Sequence, residues 1–219
     1  VTLPGSGEVL TTTVKPDGSW SVTPSTPLAD GSITIPVTET DPAGNTTSTS
    51  VPVTIDTSAT AAPTVTITTD ANNDGLINQS EQGAGSTDAV RVTLPTGAQV
   101  GDTLTVSDGT TPQTHVLSAG DITNGDWDTT VAKPAEGGTL TVTAALTDVA
   151  GNVSAPGSDS ARLDSTAPNL TAQLDPSSDS GKVGDGITKD STPTISGTGD
   201  PGNTITVTLP GSGEEIGRA

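Results

Sequence analysis

The stretch GGTLTVTAALTDVAGN (137–152) alternates apolar and polar residues and then ends in an Asp/Gly/Asn sequence. Alternation with period two is typical of a β-strand with one buried face, and Asp, Gly and Asn together are typical of a tight turn. A matching stretch, GSITIPVTETDPAGN, occupies residues 31–45. The chain thus carries two copies of a strand-and-turn unit.

The repetition extends beyond these two stretches. Trp20 and Trp127 hold equivalent positions in the two copies, and VTLPGSGE opens the chain at 1–8 and recurs at 207–214. The segments VTIDTSATAAPTVTI (53–67) and ARLDSTAPNLTA (161–172) are similar boundary sequences. Self-similarity at about 100 residues indicates tandem domains, because solenoid repeats have periods of about 20–50 residues.

Short β-branched segments separated by Gly, Pro, Asn and Asp fill the repeat, and no window shows the apolar spacing of an amphipathic helix. The clearest segments are TVTIT, AVRVTL, TLTVS, WDTTV and TLTVTAAL. Many short strands with turn signals between them are typical of an antiparallel β-sandwich. The predicted fold class is therefore all-β, with tandem Ig-like sandwiches arranged as an elongated rod.

Alignment of the repeats predicts one complete Ig-like domain at residues 59–166 and a partial domain on either side of it. Residues 1–58 would supply strands D to G: VLTTTV, SWSVTP, SITIPVTET and TTSTSVPVTI. Residues 167–219 would supply strands A to C: NLTAQL, TPTISG and NTITVTLP. Because half a sandwich exposes its core and edges, one hypothesis is that the tail of one molecule completes the head of the next. The alternative is that the partial domains are frayed ends.

The composition limits both partners and chemistry. The 26 acidic and 7 basic residues leave a net charge of −19, and there is no Cys, Met, Phe or Tyr. Disulfides and thiolate metal sites are excluded, nucleic-acid binding is disfavoured by charge, and no apolar run is long enough to span a membrane. Divalent cations are the expected partners. The core is expected to be aliphatic, with Trp20 and Trp127 as its aromatic members.

The stretch DANNDGLINQSE (70–81) matches the spacing of a calcium-binding loop of the type D-x-[DN]-x-[DN]-G-x5-E. This loop lies between strands A and B, at one end of the complete domain. The alternative is a solvated turn rich in Asn, Asp and Gly, which would have no need of the final Glu. The expected ligands are the side chains of Asp70, Asn72, Asp74, Asn78 and Glu81 and the backbone carbonyl of Leu76.

Sandwich topology predicts further Ca²⁺ sites where domains meet, because the B–C and F–G turns lie at one end of a sandwich. The first junction would use Asp56, Asp102, Asp148 and Asn152. The second would use Asp164 and Asp200, completed by Asp41 and Asn45 of another molecule. A further acidic A–B loop contains Asp179, Asp185 and Asp190. The alternative for each is an Asx-turn, in which Asp or Asn bonds its own backbone.

Catalysis has little support in the sequence. His115 is the only histidine, and no G-x-S-x-G motif, zinc-ligand spacing or phosphate-binding loop accompanies it. We therefore expect a chain that is not an enzyme.

The D-x-A-G-N turn before a last strand, followed by I/L-D-x-S/T-A, resembles bacterial Ig-like tandem repeats, most closely those of giant RTX-type or Bap-like biofilm adhesins. The segments 70–81 and 179–211 are similar to elements of those repeats. The resemblance implies an extracellular, calcium-stiffened extender between a bacterial surface and a distal adhesive tip, flanked by neighbouring repeats. The alternative function is a module that binds a glycan or protein through Ca²⁺.

Overall fold

Residues 64–163 form a sandwich of two β-sheets in the computed structural model, which describes residues 1–4 and 7–209. In chain order the elements are β1 (Gly31–Thr40), β2 (Thr46–Ile55), β3 (Thr64–Ile67), β4 (Leu76–Ile77), β5 (Thr87–Thr93), β6 (Thr103–Ser107), β7 (Gln113–Val116), α1 (Ala119–Asn124), β8 (Asp126–Ala132), β9 (Thr139–Thr147), β10 (Gly157–Leu163), β11 (Leu170–Leu174) and β12 (Ile195–Gly199). The chain divides into two units, residues 1–164 and residues 165–219.

One sheet of the sandwich has the order β3-β5-β8 and the other has the order β4-β10-β9-β6-β7. Neighbouring strands are antiparallel except β4 and β10, which are parallel. The first sheet corresponds to strands A, B and E of an Ig-like domain, and the second to D, C, F and G with β4 added at its edge. The fold is therefore all-β and Ig-like, as the alternating segments predicted.

The core of this sandwich is built from small aliphatic side chains at alternate strand positions. In β5, Val90 and Val92 are 1% and 0% exposed, whereas Arg91 between them faces outward. Trp127 packs against the core from a partly buried position. The buried members are Val65, Ile67, Ile77, Val90, Val92, Leu104, Val106, Leu117, Val131, Leu140, Val142, Ala144, Leu146, Ala161 and Leu163.

Before the sandwich, β1 and β2 form a regular ten-residue antiparallel hairpin, paired from Gly31↔Ile55 to Thr40↔Thr46. The strands predicted at 9–14 and 19–24 are not strands in the structure. Trp20 is 46% exposed, so its predicted place in a core was wrong. The reason is the same in each case, since a strand or a core side chain is stable only when a second sheet covers it.

The unit at 165–219 contains one hairpin, in which β11 and β12 pair from Leu170↔Gly199 to Leu174↔Ile195. Two of its three predicted strands are therefore present. The third prediction, 203–210, is not a strand over 203–209, and residue 210 lies outside the described residues. Leu170, Ile195 and several later apolar residues remain about half exposed or more.

A short helix, α1, was not expected from the sequence. Ser118 caps its N-terminus, since the Ser118 hydroxyl accepts from the Asp121 backbone N–H and the Asp121 carboxylate accepts from the Ser118 N–H. Gly125 ends the helix at φ 77°, a left-handed conformation that glycine adopts without strain. The S-x-x-D signal was present in the sequence, but a six-residue helix has no room for apolar periodicity. None of the described residues lies in a helix long and apolar enough to cross a membrane.

Gly157, the first residue of β10, lies directly against the backbone of the residue that precedes β3. A Cβ atom at this position would lie 1.9 Å from the carbonyl oxygen of Pro63. We expect Gly157→Ala to lower the free energy of unfolding by about 3 kcal/mol, the upper end of the usual cost of overpacking, because the obstacle is backbone. Thermal unfolding followed by circular dichroism measures this change.

Gly85→Ala is the matched control, because its Cβ would meet nothing closer than the Thr87 backbone nitrogen at 3.9 Å. It should change the free energy of unfolding by less than about 0.5 kcal/mol. Equal melting temperatures for the two variants would contradict the observed packing of β10 on residue 63.

Candidate metal sites

The 70–81 loop folds around its first aspartate. Asp70 is 4% exposed, and its carboxylate accepts hydrogen bonds from the backbone N–H groups of Asp74 (3.2 Å) and Gly75 (2.8 Å). The Asn72 side-chain oxygen also accepts from the Asp74 N–H, at 3.0 Å. Asn73 and Gly75 both have positive φ, 55° and 82°, which lets the backbone turn tightly enough to make these bonds. The three side chains Asp70, Asn72 and Asp74 are therefore brought together.

The middle of this loop is pinned to the edge of the sandwich as β4. The carbonyl oxygens of Gly75 and Ile77 accept hydrogen bonds from the N–H groups of Arg162 and Asp164, at 2.9 and 3.0 Å. Because successive carbonyls of an extended chain point in opposite directions, the Leu76 carbonyl points away from β10. That orientation is compatible with the predicted role of Leu76 as a backbone ligand.

The end of the loop has a structural role of its own. Asn78 Oδ1 accepts from the N–H groups of Ser80 and Glu81, while Glu81 Oε2 accepts from the Asn78 N–H at 3.1 Å. This reciprocal pair is a capping box on one helical turn. The final glutamate of the motif therefore has a second explanation besides calcium, which the sequence analysis did not consider.

The two D-x-A-G-N turns adopt one geometry. In the turn between β1 and β2, the Asp41 carboxylate accepts from the Asn45 N–H (2.8 Å) and side-chain amide (2.7 Å). In the turn after β9, the Asp148 carboxylate accepts from the same two groups of Asn152, at 2.8 and 2.9 Å. These bonds, led by the asparagine side chain, lower the pKa of Asp41 and of Asp148. Both turns are thus Asx-type turns held by an ionised aspartate.

The first predicted junction brings most of its residues to one place. Asn152 Nδ2 also donates to the backbone carbonyl of Asp56, at 3.1 Å, so the turn after β9 contacts the end of β2. The turn before β6 is adjacent, because a Cβ on Gly101 would lie 3.3 Å from the Val149 side chain. Asp102, in that turn, is 2% exposed and its carboxylate accepts from the Gln99 N–H at 2.8 Å.

Asp30 belongs to this junction but was missed in the sequence analysis. Its carboxylate accepts from the Thr57 N–H and hydroxyl and from the Ser58 hydroxyl, which lowers the pKa of Asp30. Asp56 accepts from the Ser58 N–H at 3.2 Å. The register of the hairpin explains this position. Gly31 pairs with Ile55, so Asp30, which precedes β1, lies opposite Asp56, which follows β2.

The residues predicted for the second junction belong to separate segments and, in the case of Asp200, to a different unit of the chain. Asp41 and Asn45 occupy the turn of the β1–β2 hairpin, and Asp164 follows β10, where Arg162 lies 3.5 Å from its carboxylate. Asp200 belongs to the other unit, where its carboxylate accepts from the Asn169 N–H at 3.1 Å. This site stays a prediction.

The loop after β11 contains the remaining predicted ligands. Asp179 Oδ2 accepts from the Gly184 N–H at 2.6 Å, but its Oδ1 is buried and without a partner among the described residues. Asp185 accepts from the Ile187 N–H at 3.0 Å. Asp190 accepts from the Thr192 N–H and from the Ser178 hydroxyl, which lowers its pKa. A buried oxygen with no donor is a feature that a cation site would explain.

Asp88, on β5, was also missed. It is 0% exposed, and neither carboxylate oxygen has a hydrogen-bond partner among the described residues. Burial raises the pKa of Asp88, and the Lys133 ammonium and Thr69 hydroxyl offset only part of this effect. The sequence signal was an aspartate at an inward position of an alternating strand.

No group of three or more His, Cys, Asp or Glu side chains lies close enough together to hold a metal ion within residues 1–4 and 7–209. The predicted ligand sets also include amide and backbone oxygens. Their chemistry is all oxygen, which suits Ca²⁺, and Asp88 and Asp179 carry buried carboxylate oxygens without a partner among the described residues.

His115 has a structural environment. Its ring stacks on Trp127 with centroids 4.6 Å apart, and its Nε2 lies 3.0 Å from Asp121 Oδ2. The Ser118 hydroxyl donates to that same carboxylate oxygen rather than to the histidine. This arrangement holds the start of α1 and does not pair a hydroxyl nucleophile with a base.

Comparisons with known proteins identify a matching domain family. A sequence profile described as the bacterial Ig-like domain matches residues 1–57 and 166–219. No match among curated proteins is significant.

Three solved structures are similar. A Ca²⁺-stabilized adhesin that helps an Antarctic bacterium reach out and bind ice is 32% identical over 78% of this chain, with a TM-score of 0.40. A 1.5-MDa bacterial ice-binding adhesin is 31% identical over 63% of this chain, with a TM-score of 0.34. A tetra-tandem repeat from the extending region of a large adhesion protein is 29% identical over 78%, with a TM-score of 0.34. The chain spans only 41%, 43% and 42% of these structures.

The cap of α1 generates a prediction about pH. Hydrogen bonds from the Ser118 hydroxyl and N–H and from His115 lower the pKa of Asp121 from its ordinary value of 3.8 to about 2. A group whose pKa is lower in the folded state than in the unfolded state stabilises the fold at pH values above its unfolded pKa. This stabilisation is lost as the pH falls through the folded-state pKa. The melting-temperature gap between wild type and Asp121→Asn should therefore be full at pH 5 and shrink between pH 3.8 and about 2.

Ser118→Ala is the companion variant, because it removes the largest cause of the shift and should show the same loss of acid dependence. A gap that stays constant down to pH 2 would contradict this account of the cap.

Proposed function

The chain belongs to the bacterial Ig-like domain family, and on that premise we propose that it is an extender segment of a secreted bacterial adhesin, stiffened by calcium. Its task is mechanical, namely to hold a distal adhesive tip away from the cell surface. The observation that supports the proposal is the hydrogen bond from the Asn152 side-chain amide to the Asp56 carbonyl, which joins the turn after β9 to the end of the β1–β2 hairpin.

The junction has the features of a hinge that a cation locks. Asp30 and Asp56 flank the open end of the β1–β2 hairpin, Asp148 lies in the turn that contacts Asp56, and Asp102 lies in the neighbouring turn before β6. Neighbouring carboxylates repel one another when no cation lies between them, and this repulsion favours bending of the linker. A bound Ca²⁺ would supply a positive centre shared by oxygens from both sides, so that the linker becomes rigid.

The 70–81 loop supports the same function within the domain. It joins β3 to the opposite sheet through β4, so a cation held by Asp70, Asn72 and Asp74 would tie both sheets together at this end. Such a tie is useful because the core contains aliphatic side chains and one partly buried tryptophan.

The secreted location follows from the same chemistry. Calcium modules of extracellular proteins typically bind with dissociation constants of about 10⁻⁴–10⁻³ M. The Ca²⁺ concentration outside the cell is high enough to fill such sites, whereas the concentration in the cytosol is not. The domains would therefore be loose before export and rigid outside.

A calcium-dependent module that binds a glycan or protein is the rival function. The D-x-A-G-N turn occurs with one geometry in two successive repeats, after β1 and after β9. A repeated turn suits a scaffold better than it suits a single ligand site.

Residues 1–58 also offer a surface for association. An open groove of about 630 Å³ beside the β1–β2 hairpin is lined by Val14, Trp20, Val22 and Val37, among others. The segment 166–219 matches the same family profile, and its described part exposes Leu170, Ile205 and Val207. We propose that this groove binds a segment equivalent to residues 166–219. In a solution of this chain, a second copy of the chain supplies that segment.

Thermal unfolding with and without calcium tests the main proposal. Saturating Ca²⁺ should stabilise the chain by about 1.5–3 kcal/mol per occupied site over the chelator-treated chain, as binding to the folded state alone requires. Asp74→Asn should lose the part of this Ca²⁺-dependent stabilisation that comes from the 70–81 loop. Asp128→Asn is the matched control, because this exposed carboxylate binds Arg91 at 2.7 Å and lies outside every predicted site. Identical unfolding curves in Ca²⁺ and chelator would contradict the proposal.

Sedimentation velocity in Ca²⁺ tests the association. The wild-type chain should form oligomers as its concentration rises, and Trp20→Glu should remain monomeric because a charge in the groove cannot be desolvated. Val116→Glu, at an exposed position of β7 outside the groove, should associate like wild type. A wild-type mass that is monomeric at all concentrations would show that the groove does not bind a second copy.

A further inference from the structure

Asp88 occupies a position that costs free energy unless something compensates its charge. Within β5, Asp88, Val90 and Val92 alternate on the inward face and are 0%, 1% and 0% exposed. An aspartate in that row points between the two sheets. A buried carboxylate without a hydrogen bond is among the most unfavourable groups that a folded protein can hold.

The surroundings of Asp88 contain the 70–81 loop. Ile67 pairs with Val90, and the ladder continues as the Thr68 N–H donates to the Ala89 carbonyl and the Ala89 N–H donates to the Thr69 hydroxyl. This register places Thr69 beside Asp88.

Asp70 comes next in the chain and lies at the same end of the core. Its N–H donates to the Ile67 carbonyl at 3.1 Å, which closes a tight turn and leaves Asp70 only 4% exposed. Asp88 and Asp70, the first residue of the 70–81 loop, are therefore two buried carboxylates at one end of the sandwich.

The two carboxylates differ in their partners. Asp70 accepts backbone hydrogen bonds from Asp74 and Gly75. Asp88 accepts none among the described residues, and the Lys133 ammonium, which interacts electrostatically with Asp88, donates its hydrogen bond to the Gly83 carbonyl at 2.7 Å. Lys133 and Thr69 therefore offset only part of the cost of burying Asp88, and no hydrogen bond among the described residues satisfies either of its oxygens.

We propose that Asp88 is an additional anionic ligand of a divalent cation held by the 70–81 loop, reached from β5 on the inner side. The inference rests on the proposed function, because it requires calcium in that loop. Asp88 would add a carboxylate from outside the sequence motif. The ion would then link the 70–81 loop to strand β5.

Calcium titration of the intact chain tests the proposal, with the fluorescence of Trp127 as the readout. All variants carry Trp20→Phe, so that Trp127, which packs on the core of this domain, is the only tryptophan. Asp88→Asn should weaken the Ca²⁺ affinity of this domain at least about 10–100-fold, the effect of removing groups that support a metal site. Asp88→Val, an apolar variant suited to an inward strand position, should do the same.

The metal-free state gives a second, opposite readout. In chelator, Asp88→Val should melt at or above the temperature of the parent chain, because the unpaired buried charge is gone. In Ca²⁺ it should melt below the parent. This crossing of the two curves separates a ligand from a residue that is needed only for folding. Asp128→Asn, which removes one exposed negative charge from the same sheet, should leave both curves unchanged.

Two failures can be told apart. If Asp74→Asn loses Ca²⁺ affinity while Asp88→Asn and Asp88→Val keep it, the role of Asp88 is wrong and the calcium loop stands. If the parent chain shows no response to Ca²⁺, the proposed function fails as well.

Discussion

Two β-sheets meet in residues 64–163 through valine, leucine, isoleucine and alanine side chains, and the chain contains no phenylalanine, tyrosine or methionine to fill a wider gap. Small side chains stabilise a sandwich only if the sheets approach closely, since a void forfeits the contacts that make burial favourable. One point of close approach is Gly157 at the start of β10, where any Cβ would meet the backbone of residue 63, just before β3 of the other sheet. The constraint is therefore that the two sheets must lie close together. The turns and junctions connect strands of a sandwich that small side chains fill.

A thin sandwich in a chain of net charge −19 needs its acidic residues placed with care. Most of those in turns accept hydrogen bonds from backbone N–H groups nearby, as Asp41, Asp148 and Asp70 do. These bonds favour the ionised form and shape the turn at the same time. The same geometry gathers oxygen atoms at the ends of the domain, so a turn formed by local hydrogen bonds and a cation site are not alternatives in the way that the sequence suggested.

Alternation and turn chemistry act over a few residues, and for that reason the strands of the complete domain were predictable from segments such as TLTVTAAL. The 70–81 loop and both D-x-A-G-N turns were also predictable, because their hydrogen bonds join residues two to five positions apart. Helix α1 was missed because its evidence is two caps rather than a period. The predicted strands at 9–14 and 19–24 failed because strand formation there depends on a partner sheet.

The amino-acid sequence alone determined the all-β class, the repeat, the acidic turns and the family to which the chain belongs. Only the tertiary structure decided which distant residues meet: Asn152 with Asp56, Asp30 with Ser58, and Ala89 with Thr69. The physical reason is that strand alternation says which residues face inward but not what lies opposite them. The partner of an inward or terminal side chain is set by sheet register and by the crossing of two sheets, and neither is written in any one segment.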